Sequence, residues 1–233
     1  MVEARKHFHD QLGFVETQLI LEGERALALL SKSVRAVLDR NAILAEEVIA
    51  GDDEIDRLYI LIDRGILELL ALQTPVASDL RLLSAMIHIN LHLERIGDMA
   101  VNLAKAVKLT ASLPTSATMM ESIGEMAAIA ERMVTAALRA FADRNLDLAM
   151  QLPSMDDPID RINRGMAKEV AACAGDPGLL EWALRIMIVS RQLERVGDHA
   201  VDIGEQVAFL LTGEFREFTD ASHPELESEV KGE

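Results

Sequence analysis

The chain has 233 residues, 39 acidic against 23 basic side chains, a formal charge of −16 and an isoelectric point near 4.8. That balance argues against a nucleic-acid backbone as partner, because phosphate binding needs clustered Lys and Arg, and the lone Cys173 excludes an intrachain disulfide. Half the residues are apolar, yet charges interrupt the apolar runs well short of the ~18 to 20 residues that span a bilayer, so direct membrane insertion is not expected.

The start Met1-Val2-Glu3-Ala4-Arg5-Lys6 lacks the apolar core of a signal peptide, which makes the cytosol the expected compartment. Aromatic and β-branched residues are scarce beside Ala, Leu, Met, Arg and Glu, the good helix formers. An all-α fold follows. Pro75, Pro114, Pro153, Pro158 and Pro177 stand between long periodic runs, where an imino acid removes no interior hydrogen bond. In chain order the spacing predicts helices near residues 3–39, 41–72, 76–110, 117–143, 145–172 (broken around Pro153 to Pro158) and 178–212. A linker is expected at Thr110 to Thr118, and a Glu- and Ser-rich tail with almost nothing apolar closes the chain.

An internal repeat organises these elements. Leu93-Glu94-Arg95-Ile96-Gly97-Asp98-Met99-Ala100-Val101-Asn102 returns as Leu193-Glu194-Arg195-Val196-Gly197-Asp198-His199-Ala200-Val201-Asp202, seven of ten positions identical at an offset of 100. Asp39-Arg40-Asn41 returns as Asp143-Arg144-Asn145, and Asp52-Asp53-Glu54-Ile55-Asp56-Arg57 as Asp156-Asp157-Pro158-Ile159-Asp160-Arg161, at an offset of 104. Blocks recurring in the same order imply two tandem, duplicated three-helix bundles rather than a solenoid, which needs about three repeats. The expected division is residues 1–112 and 113–213 for the bundles, with 214–233 as a disordered acidic tail.

The repeat carries the candidate chemistry. At ~100° per residue Glu94 and Asp98 lie about 40° apart on one helical face with Asn102 about 80° round, and Leu83, Ile87 and Val101 continue the same stripe. Glu194, Asp198 and Asp202 repeat the ladder among Ala183, Met187 and Val201. Two like charges at i and i+4 disfavour a helix by a few tenths of a kcal/mol, and desolvating them costs more, so something should offset them. Hard cations take carboxylate oxygens, and acidic residues at helical spacing are how bundles hold them. One metal site per half is therefore expected, with Glu94, Asp98 and Asn102 in the first and Glu194, Asp198 and Asp202 in the second. Glu205, standing where the first copy has Lys105, should make the second site more negative and tighter. Gly97 and Gly197, mid-helix, would let a backbone or ligand approach.

The blander reading is a surface pair with Arg95 and Arg195 as counterions. Asp52, Asp53, Asp156 and Asp157 read most simply as helix-start caps, and Asp56 and Asp160 as residues favouring the positive end or as further ligands. His88 and His92 point away from Glu94 and read as a polar surface, and His199 as no ligand. The chain has no Gly-rich phosphate loop, Cys pair or recognisable nucleophile. No enzymatic activity is expected. The alternative is a carboxylate-bridged metalloenzyme or metal store, against which stands the lack of a Glu-x-x-His pair in the motif helices.

The run Leu72-Gln73-Thr74-Pro75-Val76-Ala77-Ser78-Asp79-Leu80-Arg81, together with the two Leu-Glu-Arg-Ile/Val-Gly-Asp motifs, resembles the PhoU family of phosphate-uptake regulators, from about Phe8 to Leu211. The resemblance implies paired three-helix bundles, each with a Glu/Asp-x-x-x-Asp metal motif, here Glu94 with Asp98 and Glu194 with Asp198. It implies iron, zinc, manganese or magnesium as the bound ion. It also implies an intracellular negative regulator of phosphate import and of the phosphate-starvation response. Its partners would be the ATPase subunit of the phosphate ABC transporter, the phosphate-sensing histidine kinase and a second copy in a homodimer, with recruitment to the inner face of the membrane through them. Two departures stand out: His92 and Gln192 fill a position that is often acidic in the family, and Gly178-Leu179-Leu180-Glu181 replaces Asp79-Leu80-Arg81.

Overall fold

A computed structural model describes residues 2–73 and 75–218. Its elements are α1 (Val2–Leu38), α2 (Ala42–Gln73), α3 (Ser78–Thr110), α4 (Ala117–Ala142), the single turn α5 (Leu146–Ala149), α6 (Leu152–Ala172) and α7 (Pro177–Thr212). Among the described residues there is no strand. The first bundle is α1 to α3; α4, α6 and α7 form the second, with α5 as the first turn of its interrupted middle helix.

The duplicated Asp-Arg-Asn turns close the first helix of each bundle in one way. Arg40 and Arg144 both adopt φ 52°, the left-handed conformation that ends a helix, without a glycine. The following asparagine then starts the next helix: Asn41 Oδ1 accepts from the amides of Ile43 and Leu44, and Asn145 Oδ1 from that of Leu148. Asp52, Asp53, Asp156 and Asp157 consequently lie inside α2 and α6. They are not caps: Asn41 holds that position for α2, and α6 begins at Leu152 after Gln151, a turn before Asp156.

The break in the fifth helix falls at Met150–Gln151, ahead of Pro153, which sits in the first turn of α6. Pro158 lies within α6 instead of interrupting it. α7 starts on Asp176, whose Oδ1 accepts from Gly178 and Leu179, and ends on Gly213 at φ 78°, whose amide donates to Phe209 O at 2.8 Å.

Apolar stripes from all six long helices merge into one core that includes the fully buried Trp182, Phe141, Leu30, Leu93 and Ile96. The most extensive pairing in the molecule joins α3 to α7, the two motif helices, so the bundles share a seam instead of hanging on the linker. α1 also meets α4, where a Cβ at Gly23 would stand 2.2 Å from Leu138 Cδ2. The Arg144 Nη2 to Glu16 Oε1 ion pair, 2.5 Å long, spans the same contact. Residues 214–218 are non-helical and turn beside α7: Phe218 N donates to Glu205 Oε1 at 2.6 Å, and the Phe215 ring meets Phe209 edge-on. The rest of the expected tail, 219–233, lies outside the described residues.

Candidate functional site

Each bundle gathers carboxylates from neighbouring helices at its motif. In the first, Glu94 and Asp98 on α3 face Asp52 and Asp56 on α2, and Glu22 comes up from α1. Glu22 is completely buried, and neither of its carboxyl oxygens has a hydrogen-bond partner among the described residues. Burial, reinforced by the charge of Glu94, pushes it up to about 9, so it is protonated at neutral pH. Glu94 is itself raised, by burial first and by Asp98 next. Its Oε2 makes no hydrogen bond among the described residues, and the Arg95 guanidinium stands 3.4 Å away as an ion pair. Arg95 also reaches Asp98, at 3.3 Å. Asp52 is raised by burial and then by Asp56 and Asp98.

The second bundle repeats the arrangement with other residues. Glu194 is buried and raised, by burial and then by Asp198. One of its oxygens is held by Arg191, not by Arg195 as the sequence reading has it, and Oε2 has no hydrogen-bond partner among the described residues. Asp198 is raised by withdrawal from water and then by Asp160, while Asp160 pairs with Arg164 at 3.2 Å. Asp156 is buried at 3 % exposure on α6 and fills the space that Gly197 leaves: a Cβ there would stand 2.2 Å from Asp156 Oδ1. At Gly97 the corresponding neighbour is Ile55 Cδ1, at 2.9 Å. Glu205 is pushed up to about 7 by burial, opposed by the Phe218 amide, so it is only partly charged near neutrality and adds less negative potential than its side-chain type implies.

The remaining residues of the ladders face the seam between the bundles. Asn102 on α3 is exposed, with Nδ2 3.5 Å from Gln192 Oε1 on α7. Asp202 on α7 sits with His92 of α3 and His199 of α7, and both His rings are largely enclosed, at 17 % side-chain exposure. His92 is thus turned into the seam, unlike His88, which stays exposed. Burial holds its imidazole well below its usual range, with Asp202 opposing. Among the described residues, His92, His199 and Asp202 are the one group of three whose ligand atoms lie within 4.8 Å of one another. The carboxylates of the two bundle clusters are spread more widely.

Glu22 was not among the sequence candidates. The signal is there: Val15, Leu19, Glu22, Ala26 and Leu29 follow core spacing, and an acid on such a stripe implies a buried carboxyl.

The described residues fold as two copies of one three-helix bundle, each with a carboxylate cluster on its motif helix, and that duplicated all-α plan defines the class of protein. The PhoU domain model matches residues 19–107 and 123–207, covering both copies, and the chain belongs to the PhoU family, a family of accessory and regulatory proteins. It is 33% identical over 211 residues to a phosphate-specific transport system accessory protein PhoU homologue of Caulobacter vibrioides, covering 90% of this chain and 91% of that one. A Pseudomonas aeruginosa homologue of the same description is 33% identical over 222 residues, 94% of this chain and 88% of that one. In structure, PhoU from Pseudomonas aeruginosa superposes with a TM-score of 0.85 at 31% identity, covering 89% of this chain and 100% of that chain. The phosphate transport system regulatory protein PhoU of Streptococcus pneumoniae gives 0.81 at 27%, covering 90% and 99%.

Proposed function

We propose that this protein is an accessory regulator of phosphate uptake, lowering import by the phosphate ABC transporter and restraining the phosphate-starvation response through protein contacts. The observation that carries the reading is the match of both bundles to the PhoU domain, alongside relatives named as phosphate-specific transport system accessory proteins. Its partners are the transporter ATPase subunit, the phosphate-sensing histidine kinase and a second copy of the chain. A surface carrying −16 recognises basic patches on such partners. No helix among the described residues is long and apolar enough to cross a membrane, so membrane contact would pass through those partners.

Metal ions belong to this reading. The donor set around Glu94 and Asp98, and around Glu194 and Asp198, is carboxylate, and the oxygens Glu94 Oε2 and Glu194 Oε2 lack hydrogen bonds among the described residues. That chemistry fits a hard cation such as magnesium, manganese or ferric iron, whose spread-out sites keep several waters. Asp56 and Asp160, whose charges act on Glu94 and Asp198, would be further donors. A bound cation would supply the positive charge that lets these helices sit together, and Arg95 and Arg191 supply part of it without one.

Deleting the gene should raise phosphate uptake and derepress starvation-responsive reporters. Unchanged uptake and unchanged reporters would overturn the regulatory reading. A pull-down against the ATPase subunit and the kinase tests the partners directly.

A further inference from the structure

The seam between the bundles holds a group that the carboxylate clusters do not use. His92 Nδ1 of α3 stands 3.1 Å from His199 Nδ1 of α7, and each of these nitrogens stands 3.3 Å from Asp202 Oδ2. The three edges are nearly equal. An ion bound tetrahedrally at ~2.0 to 2.1 Å has ligand-to-ligand edges about 1.6 times as long, close to 3.3 Å. The three atoms therefore already form one face of such a coordination shell.

Hydrogen bonding alone does not satisfy this triangle. With Asp202 ionised, two Nδ1–H groups can both donate to its oxygen, but then two donors face each other across 3.1 Å. With one Nδ1–H, a lone pair on nitrogen faces the carboxylate oxygen instead. Every assignment leaves one edge joining like with like, whereas a cation inside the triangle accepts all three lone pairs. His199 Nε2 has no hydrogen-bond partner among the described residues, so the orientation of that ring rests on what meets Nδ1.

The duplication sharpens the point. The positions equivalent to His92, His199 and Asp202 are Gln192, Met99 and Asn102. There the seam uses a neutral amide pair, Asn102 with Gln192 at 3.5 Å. One end of the pseudo-symmetric seam thus carries polar filler, and the other carries two imidazoles and a carboxylate, donors suited to borderline transition metals.

We propose that His92, His199 and Asp202 bind one zinc-class ion that staples α3 of the first bundle to α7 of the second. Asp202 keeps 40% side-chain exposure, which leaves the fourth coordination position to water. The site borders the second carboxylate cluster, since His199 and Asp202 both act on Asp198, but differs from it in donor type, and it stands independently of the phosphate-transport reading.

The test titrates the chelator-stripped full chain with Co²⁺, a spectroscopic substitute for zinc. The expected result is the visible absorption of a tetrahedral ion, saturating at one per chain and displaced by Zn²⁺. His92→Gln and His199→Met, which install the residues of the opposite half, should each abolish the absorption and weaken Zn²⁺ binding by at least about a hundredfold, beyond what loss of an outer-shell partner does. Glu194→Gln with Asp198→Asn should leave it in place. Absence of tetrahedral absorption in the wild type would overturn the proposal. So would absorption that survives His92→Gln, or that vanishes only with Glu194→Gln and Asp198→Asn. Should both histidine variants fail to fold, ring-nitrogen magnetic resonance of the wild type decides: Zn²⁺ must shift the Nδ1 signals of two histidines, and unmoved signals would overturn the site.

Discussion

The two bundles repeat one helical plan but bury their acids from different helices. In the first, the buried acid is Glu22, delivered by α1 beneath Glu94 and held protonated. Its equivalent in the second is Met126, also completely buried. There the most deeply buried acid is Asp156 of α6, seated in the notch at Gly197; Glu194 is buried too, and Asp52, the equivalent of Asp156, is only half-buried. The ion pairing differs as well: Asp160 has Arg164 one turn on, and Asp56 has the exposed Ile60. Duplication kept the carboxylate ladder of the third helix and let the supporting shell drift. The ladder is thus the part whose chemistry both halves share.

The largest expected effect comes from making the halves alike at the buried acid. Glu22 stays protonated up to about 9, whereas the unfolded chain releases that proton in the ordinary carboxylate range. Its contribution is therefore fully present below the ordinary range and is lost as pH rises toward 9. Glu22→Met should stabilise the metal-free protein by about 3 kcal/mol at pH 7 and flatten the decline of stability between pH ~5 and ~9. Urea midpoints measured across that range check it, and an unchanged slope would refute the neutral buried acid.

Alanine at the two motif glycines should next separate the halves. Gly197→Ala drives a methyl into Asp156 and should cost about 1 to 3 kcal/mol. Gly97→Ala meets only the tip of Ile55, and its helix-propensity gain of ~1 kcal/mol should offset most of the strain. Thermal melts of the pair would expose equal losses if the notch at Gly197 has no special role.

Neutralising one ladder at a time, Glu94→Gln with Asp98→Asn against Glu194→Gln with Asp198→Asn, should weaken Mn²⁺ binding by at least about tenfold, or ~1.4 kcal/mol, at the altered half only. Calorimetric titration reads this, and full retention by both variants would remove the cation from the mechanism. The smallest effect should come from Ile60→Arg. Giving Asp56 the partner that Asp160 already has should gain no more than about 0.5 kcal/mol, and less in high salt.

The sequence made the helices and their duplication readable because apolar periodicity and motif recurrence are properties of the local chain. The ladders were readable too, since Glu94 and Asp98 share a face at any helix of ordinary pitch. The break before α6 was displaced toward Pro153 because proline is tolerated in a first helical turn, so the breaks lie one step earlier than the prolines mark. Asp156 read as a cap because its burial depends on a glycine 41 residues later. His92 and His199 read as unrelated for the same kind of reason: 107 residues separate them, and only the docking of α3 on α7 joins them.

Arg40 has a consequence for how the molecule comes apart. Its Nη2 donates to the carbonyls of Thr110, Ala111 and Leu113, at 2.9, 2.7 and 2.7 Å, so a turn of the first bundle grips the strap leading into the second. Glu16 and Arg144 join the two copies again at the other contact, so separating them breaks both ties. The two copies should therefore melt as one unit instead of two, with calorimetric and van't Hoff enthalpies coinciding over the whole chain.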